Sequence, residues 1–365
     1  MTYHHRLAAW LPALALALLV PLVGTRASAL EIHGFGDVSY ARDNHDDADP
    51  EENNGAFLIG PLDFYIAERI GSRLDVLAEF AFESGAIDVE RLQVGYLFSD
   101  AFKVYAGRVH TALGYWNTAY HHGAFLHTTI GRPLFLRFED EGGILPVHSV
   151  GLMGSGRTFL RAGELSYAVV FGNGSSIAEV DGAPELDPNT AGDPNKNKAV
   201  GLHTAFAPNG LHGWASGASL YESRVVSVVS VVSVPPISAG DITQTIVGAD
   251  LSKTMGPFEL LAEYFRLRHK DHLGSGGSTT NHLYYVQTGY EFRELLTPYA
   301  RHEQVSIEEG DPFAAALGSV DTRIETAGIR VRLGEQSVVK VEGRFVATDG
   351  TEHHQEYGAQ WAFTF

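Results

Sequence analysis

The last twelve residues of the chain alternate between apolar and polar side chains. One face of the implied strand carries Tyr357, Trp361, Phe363 and Phe365, while the other face carries Glu356, Gln360 and Thr364 among small residues. Because successive side chains point to opposite sides of a β-strand, this stretch predicts a strand with one apolar and one polar face. A strand of this kind is typical of a transmembrane barrel, in which the apolar face contacts lipid.

The first 29 residues have the features of a secretory signal peptide. Arg6 precedes a nearly continuous apolar stretch at 7–23, and Ala27-Ser28-Ala29 provides small residues for cleavage after Ala29. The mature chain, residues 30–365, contains no other apolar run close to 18 residues. If it sits in a membrane, it must therefore do so as a closed barrel, because only helices and barrels satisfy all backbone polar groups in lipid.

Composition excludes several classes of function. The chain has no cysteine, so disulfides and thiolate metal sites are excluded. It carries 26 Lys and Arg against 44 Asp and Glu, a formal charge of −18, which argues against nucleic acid as a partner. We expect no cofactor.

Alternating segments recur along the mature chain and predict sixteen strands. They lie at 31–42, 55–69, 72–83, 88–98, 102–110, 146–155, 158–172, 197–207, 212–225, 241–253, 256–269, 281–292, 295–306, 320–333, 336–347 and 354–365. The sequence therefore predicts an all-β fold: a transmembrane antiparallel barrel of about 16 strands, formed by residues 30–365 as a single domain.

The lengths of the connections predict the orientation of this barrel. Connections after even-numbered strands are short, whereas those after odd-numbered strands are mostly long and polar, as in outer-membrane barrels with short periplasmic turns. An even strand count places both termini on the short-turn, periplasmic side. Aromatic residues near these turns predict an interfacial girdle: Phe98, Phe102, Phe206, Trp214, Phe258, Phe292, Tyr299, Phe363 and Phe365.

The sixteen-strand layout resembles that of the general bacterial porins of Gram-negative outer membranes. In that family the third outer loop is the longest and folds into the lumen, and the corresponding connection here, 111–145, is also the longest. The resemblance implies a constriction loop at 111–145, passive diffusion of small hydrophilic solutes or ions, and a homotrimer. The terminal aromatic strand resembles the assembly signal of outer-membrane barrels, which implies an outer-membrane location and recognition by the barrel-assembly machinery.

A short passage resembles a second porin group. The run from Gly107 through Arg108 to Thr111-Ala112-Leu113-Gly114 is similar to the strand-to-loop passage of phosphate-selective porins, although Ala112 replaces their proline. The basic residue of this passage, Arg108, is counted among the basic residues of the pore wall. Anion selectivity does not follow from so short a match.

The long loop is itself predicted to be folded. Its large apolar groups include Tyr115, Trp116, Phe135 and Phe138, too many for a solvated loop, and a helical turn is expected at 115–123. Glu139, Asp140 and Glu141 follow directly and form an anionic spot. One interpretation places these three acids at the constriction, and the alternative is a solvated outer tip.

Four basic residues are predicted on the lumen face of two neighbouring strands. They are Arg330, Arg332, Lys340 and Arg344. If they face Glu139–Glu141, a transverse field would cross the pore and orient dipolar solutes. The alternative is ordinary wall charge neutralised by Glu325, Glu342 or Glu356.

The histidines and serines raise two further hypotheses, a metal site and an enzyme. His121, His122 and His127 are candidate Zn²⁺ ligands, against the alternative of polar loop residues. Ser149, Ser155 and Ser166 lie in no Gly-x-Ser-x-Gly elbow, so we expect no enzyme. The alternatives to a porin are an adhesin or a sleeve for a partner protein, and a barrel hydrolase.

Overall fold

Strands dominate the fold, as the alternating segments predict. The computed structural model describes residues 32–44, 55–83, 86–120, 123–180, 183–190, 192–194, 197–227, 241–273, 277–351 and 353–365. The predicted signal peptide lies outside these residues, as do His121 and His122.

The described residues contain nineteen strand segments in one sheet. Their bounds are β1 Ile32–Asp43, β2 Ala56–Ile59, β3 Leu62–Ile70, β4 Leu74–Glu83, β5 Ala86–Ser99, β6 Phe102–His110, β7 His148–Leu160, β8 Gly163–Asn173, β9 Ser176–Val180, β10 Ala183–Asp187, β11 Lys198–Pro208, β12 Trp214–Ser227, β13 Asp241–Lys253, β14 Phe258–Asp271, β15 Ser278–Tyr290, β16 Leu296–Ser306, β17 Thr322–Gly334, β18 Ser337–Thr348 and β19 His354–Thr364.

These segments form a closed antiparallel barrel of sixteen strands. β2 and β3 are two parts of one barrel strand interrupted at Gly60-Pro61, and both pair with β1. β9 and β10 form a hairpin within the connection between β8 and β11. The first and last strands, β1 and β19, pair antiparallel from Phe35 opposite Thr364 to Asp43 opposite Glu356. This pairing closes the barrel and confirms the predicted fold class and strand number.

Two short α-helices lie in the described parts of the connections. α1 spans Tyr115–Ala119, within the predicted helical turn, and α2 spans Pro312–Leu317. The Asp311 side chain caps α2 by accepting a 2.7 Å hydrogen bond from the backbone amide of Ala314. Among the described residues, no helix has the length and apolar character needed to span a bilayer.

The two faces of the sheet have opposite environments. Outward side chains such as Leu220, Val247 and Trp361 are apolar yet 50–58% exposed. Their neighbours on the inner face, such as Tyr221 and Ile246, are fully buried. A soluble protein rarely exposes so broad an apolar surface, so this outer face is the one that contacts lipid.

The turns follow the predicted asymmetry with one error. Short connections follow β3, β5, β7, β11, β13, β15 and β17, on the side of the barrel where both ends of the described barrel lie. The prediction of a turn at 156–157 is wrong, because β7 continues to Leu160 and the turn is at 161–162. Gly156 lies within the strand. A Cβ at this position would sit 2.1 Å from the carbonyl oxygen of Ala101, so the position requires glycine. The glycine permits a close backbone approach rather than a turn.

The aromatic girdle forms at the short-turn end. Phe98 stacks on Phe102 with ring centroids 5.1 Å apart, and Phe363 stacks on Phe365 at 6.4 Å. Tyr299 was wrongly predicted to join this girdle. It points into the lumen, where its hydroxyl donates a 2.9 Å hydrogen bond to Glu342.

Candidate pore and its inner loop

The connection between β6 and β7, residues 111–147, folds into the barrel as the sequence predicts. We call it the inner loop. Its neck is closed by a 2.9 Å hydrogen bond from the amide of Thr111 to the carbonyl of Val147. The Asn117 side chain ties the same two residues, donating to Thr111 O at 2.9 Å and Val147 O at 3.1 Å. The loop thus enters the lumen as a constrained element.

Carboxylates on the inner wall hold the backbone of this loop. Glu263 on β14 accepts hydrogen bonds from the amides of Tyr115 at 2.9 Å and Trp116 at 2.8 Å, and from the Tyr285 hydroxyl at 2.8 Å. Glu303 accepts from the amide of Leu134 at 2.6 Å. Both carboxyl groups thus hold the loop through its backbone amides.

Two further wall carboxylates complete this set of anchors. Glu342 on β18 accepts a 3.0 Å hydrogen bond from the amide of Ile130. Glu259 on β14 accepts a 2.8 Å hydrogen bond from the hydroxyl of Thr128. The loop is therefore bonded to the wall along much of its length.

Wall cations bind the carbonyl groups of the same loop. Arg301 on β16 donates to Thr129 Oγ1 and Gly131 O, both at 2.9 Å, and to Arg132 O at 3.2 Å. Lys340 on β18 donates to Thr129 O at 2.8 Å and also to Ala124 O. Ser219 on β12 and Arg330 on β17 also hydrogen-bond the loop, so the wall side chains that hold it lie on β12, β14, β16, β17 and β18.

An apolar core lies between the loop and this part of the wall. Leu113, Trp116 and Phe135 of the loop are fully buried against wall residues that include Phe265 and Tyr285. Trp116 packs edge-on against Tyr285 at 5.9 Å, and Phe135 against Phe265 at 6.0 Å. The hairpin β9–β10 adds Ile177 and Leu186, and α2 adds Phe313. The lumen is therefore packed on the side of β12–β16.

The opposite part of the wall is less covered. Several inward side chains of β3 to β8 are partly exposed, and we call this part of the barrel the open wall; they include Tyr65, Gln93, Tyr105, Ser155 and Ser166. Two ion pairs lie here, with Arg91 donating to Glu79 at 2.5 Å and Arg69 to Asp75 at 2.7 Å. This polar surface is the less covered part of the lumen.

A cavity lies on each side of the inner loop. The outer one, of about 220 Å³, is lined by the carboxylates of Asp88, Glu90, Glu139, Asp140 and Asp187 together with Arg108 and His148. The inner one, of about 380 Å³, lies towards the short turns and is lined by Tyr115 and Thr118 of the loop and by Glu164, Ser166 and His203 of the wall. The outer cavity is the more acidic of the two.

The three predicted constriction acids occupy different environments. Glu139 is 4% exposed and accepts hydrogen bonds from the amides of Val147 at 2.8 Å and His148 at 2.7 Å. Burial alone would raise the pKa of Glu139, but the His148 imidazole 2.9 Å away holds it below its ordinary value. Asp140 and Glu141 are exposed. Desolvation and the nearby carboxylates Glu141 and Glu90 raise the pKa of Asp140 to about 6.

The predicted basic wall residues also divide into two groups. Lys340 is fully buried under the loop, and Arg330 donates to Phe125 O at 3.3 Å. Arg332 pairs with Glu291 at 3.1 Å and Arg344 with Glu356 at 2.9 Å. All four residues face inward, but Lys340 and Glu139 are withdrawn from the open space. A field across the pore would therefore depend on Asp140, Glu141, Arg332 and Arg344.

The remaining predicted residues are placed as follows. Arg108 donates to Val89 O at 2.8 Å and lies 3.5 Å from Glu90. His127 is buried against the rings of Trp116 and Tyr120, with centroids 5.2 Å and 5.4 Å away, while its two candidate partner histidines are not described. The residues of the proposed assembly signal, Tyr357, Trp361, Phe363 and Phe365, are exposed on the outer face of β19 or just after it.

Sequence reasoning missed the anchors Glu263, Glu303 and Arg301. Each occupies an inward position within a strand that also carries buried apolar residues. A charged residue at such a position was the available signal, because a buried charge needs a partner. The sequence did not identify that partner, since it is the backbone of a loop about 150 residues away.

Comparisons with known proteins agree on the fold. No family model and no curated protein matches the chain. An anion-selective porin from Comamonas acidovorans matches with a TM-score of 0.62 and 12% identity, over 92% of this chain and 99% of that one. The outer-membrane protein OmpT of Vibrio cholerae, in a trimer form, gives the same values. The outer-membrane channel DcaP of Acinetobacter baumannii gives 0.60 and 12%, over 92% and 97%.

The fold is thus that of the sixteen-stranded outer-membrane porins. At 12% identity, the comparison shows a shared architecture only. The inner-loop contacts described above are observed in this chain and are not carried over from the other proteins.

Proposed function

We propose that the protein is an outer-membrane pore through which small hydrophilic solutes or ions diffuse passively. The observation that carries this proposal is the unequal covering of the inner wall. The inner loop and its apolar core pack against β12–β18, while the polar open wall of β3–β8 remains partly exposed. Water and solutes would pass between the inner loop and the open wall.

The packing also limits what can pass. The loop is fixed by several hydrogen bonds to wall side chains and by a buried core, so it narrows the lumen as a constrained element. Apolar solutes would be disfavoured at the paired charges and hydroxyl groups of the open wall, because they would displace bound water without replacing its hydrogen bonds. The expected substrates are therefore small and polar or charged.

A preference for cations is proposed on the charges of the outer cavity. Five carboxylates line it against one arginine and one histidine. The charge pairs of the open wall, Arg91–Glu79 and Arg69–Asp75, are each neutral as a pair. An acidic entrance concentrates cations and repels anions, so the entrance would set the selectivity.

The setting of the pore is also part of the proposal. Both ends of the barrel would lie in the periplasm, on the side of the short turns. The barrel-assembly machinery would recognise the aromatic face of β19. A homotrimer is proposed by analogy with the trimeric form of the Vibrio cholerae OmpT structure. Passage would require no cofactor and no catalytic step.

Single-channel recording tests the proposal. The purified full-length protein, inserted into a planar bilayer, is expected to give stepwise ohmic openings. Under a KCl gradient, the reversal potential should have the sign of a cation-preferring pore. Well-inserted protein that remains silent, with barrel structure verified by circular dichroism, would contradict the pore function.

The extent of the buried core favours a second candidate, a structural barrel or a sleeve for a partner protein. Among the described residues, twenty buried side chains from the wall, the inner loop, the β9–β10 hairpin and α2 form one cluster inside the barrel. A barrel with no conducting function could be packed in this way. Silence in the bilayer together with retention of a partner on the immobilised barrel would support this candidate.

A further inference from the structure

Three metal-ligating side chains meet where the first and last strands close the barrel. Asp43 ends β1, Glu356 lies directly opposite it on β19, and His354 precedes Glu356 by two residues on the same face. One ligand atom from each residue lies within 4.8 Å of the other two. We propose that these residues form a binding site for a divalent transition-metal ion such as Zn²⁺ at the outer rim of the lumen.

The distances within the group suit coordination better than direct hydrogen bonding. The Nε2 atom of His354 lies 3.6 Å from Glu356 Oε1 and 3.8 Å from Asp43 Oδ2. Both separations exceed the limit of a good hydrogen bond. Two ligand atoms bound tetrahedrally to Zn²⁺ at about 2.1 Å are roughly 3.4 Å apart. Small side-chain movements would therefore bring the three atoms onto one ion.

The charges of the site favour a cation. Asp43 and Glu356 are like charges directly opposite each other on paired strands, an arrangement that destabilises the pair. Arg344 contacts Glu356 Oε2 at 2.9 Å, but it also lies within 4.0 Å of Glu303 and Glu342. Arg344 is thus shared between Glu356 and neighbouring carboxylates, of which Glu303 also pairs with Arg301 at 2.8 Å. A cation between Asp43 and Glu356 would relieve the repulsion between these two opposed charges.

The backbone around the site is held in place. The amide of Asn44 donates to Gln355 O at 3.1 Å, and the amide of Gln355 donates to Asn44 Oδ1 at 2.6 Å. Arg344 fixes one oxygen of Glu356, so the other oxygen faces His354. The three side chains are between 13% and 29% exposed, which leaves an ion access from water.

The donor set indicates which ions would bind. One imidazole and two carboxylates suit borderline divalent ions such as Zn²⁺, Co²⁺ and Ni²⁺, with water completing the coordination. Imidazole is a poor ligand for Ca²⁺ and Mg²⁺, which prefer oxygen atoms alone. A bound ion would link β1 to β19 and so stabilise the closure of the barrel.

Calorimetric titration of the full-length barrel in detergent with ZnCl₂ tests the site, with CoCl₂ as a spectroscopic probe. We expect one saturable equivalent and visible Co²⁺ absorption bands that report a nitrogen–oxygen ligand set. H354Q and D43N should each weaken binding by about tenfold or more, the scale of a lost coordination contact. Zn²⁺ should raise the thermal unfolding temperature of the wild type but not of H354Q.

H302Q is the matched control, because His302 also faces a carboxylate, Glu325, but as a direct 2.8 Å pair that no second acid joins among the described residues. It should bind Zn²⁺ like the wild type. Absence of saturable binding, or equal binding by wild type and H354Q, would overturn the proposal. Since the titration needs no conductance, its failure would leave the pore function untouched.

Discussion

The carboxylate of Glu263 accepts a 2.8 Å hydrogen bond from the backbone amide of Trp116, 147 residues earlier in the chain. A second oxygen of the same carboxylate accepts from the amide of Tyr115. One wall residue therefore anchors the first turn of α1 and, with it, the entry of the inner loop into the lumen.

Replacement of Glu263 by alanine is expected to loosen the inner loop. The change leaves two backbone amides and the Tyr285 hydroxyl without their acceptor, at about 1–3 kcal/mol for each buried group left unpaired. In a planar bilayer, E263A should show larger or noisier single-channel currents than the wild type, and limited proteolysis should cut within residues 111–147. E325A removes an exposed carboxylate outside this contact and should behave like the wild type. Currents and cleavage in E263A that equal those of the wild type would refute the anchoring role.

Arg301 should not tolerate exchange for lysine. Its guanidinium bonds Glu303 and three groups of the inner loop at once, and an ammonium group has neither the reach nor the planar fork to do so. We expect R301K to lower the stability of the folded barrel by about 1–3 kcal/mol, the scale of a disrupted buried network. Urea unfolding followed by tryptophan fluorescence measures this change. R323K, at an exposed position of β17, serves as the matched control and should stay within about 0.5 kcal/mol of the wild type.

Cation preference should fall when the pH is lowered from 7 to 5. The pKa of Asp140 is raised to about 6, so its carboxylate is mostly charged at pH 7 and mostly neutral at pH 5. Loss of this negative charge from the outer cavity reduces its attraction for cations. Reversal potentials measured at both pH values in wild type and D140N isolate the contribution of Asp140. A pH response in D140N as large as that of the wild type would assign the effect to other groups.

A methyl group at Gly328 is expected to disturb the packing of Tyr299. A Cβ at Gly328 would lie 2.4 Å from Tyr299 Cζ, whereas one at Gly334 on the same strand meets nothing within 4 Å. G328A should therefore cost about 1–3 kcal/mol through overpacking, and G334A should cost little. Thermal unfolding of the two variants provides the comparison. If both are equally stable, the ring of Tyr299 has room to move, and the close contact does not constrain the wall.

The alternation of side chains carried most of the fold prediction. Sixteen strands, the asymmetry of the connections and the inward folding of the long loop were all predicted correctly. The two errors in the fold prediction concern residue types that have more than one structural role. Gly156 was interpreted as a turn residue although it permits a close backbone approach, and Tyr299 was assigned to the girdle although its ring covers Gly328 inside the barrel.

The candidate site was predicted less completely. Arg330, Arg332, Lys340 and Arg344 lie on the inner face of β17 and β18, since their position in the alternation determines the direction of each side chain, while their role in a pore stays a prediction. The sequence did not show that Lys340 binds loop carbonyls, nor that Glu139 turns to His148 instead of to the open lumen. Those contacts depend on where a 37-residue connection lies, and local periodicity says nothing about that position.

Strand periodicity, connection length and the aromatic face of β19 are local properties of the chain, so the class of fold can be predicted before any long-range contact is known. The covered part of the wall, the carboxylates that anchor the inner loop, and the meeting of Asp43 with His354 and Glu356 follow instead from the three-dimensional arrangement. Their cause is the closure of the barrel. Pairing β1 with β19 and folding the inner loop inward bring together residues that are hundreds of positions apart, and these contacts are fixed by packing and buried hydrogen bonds.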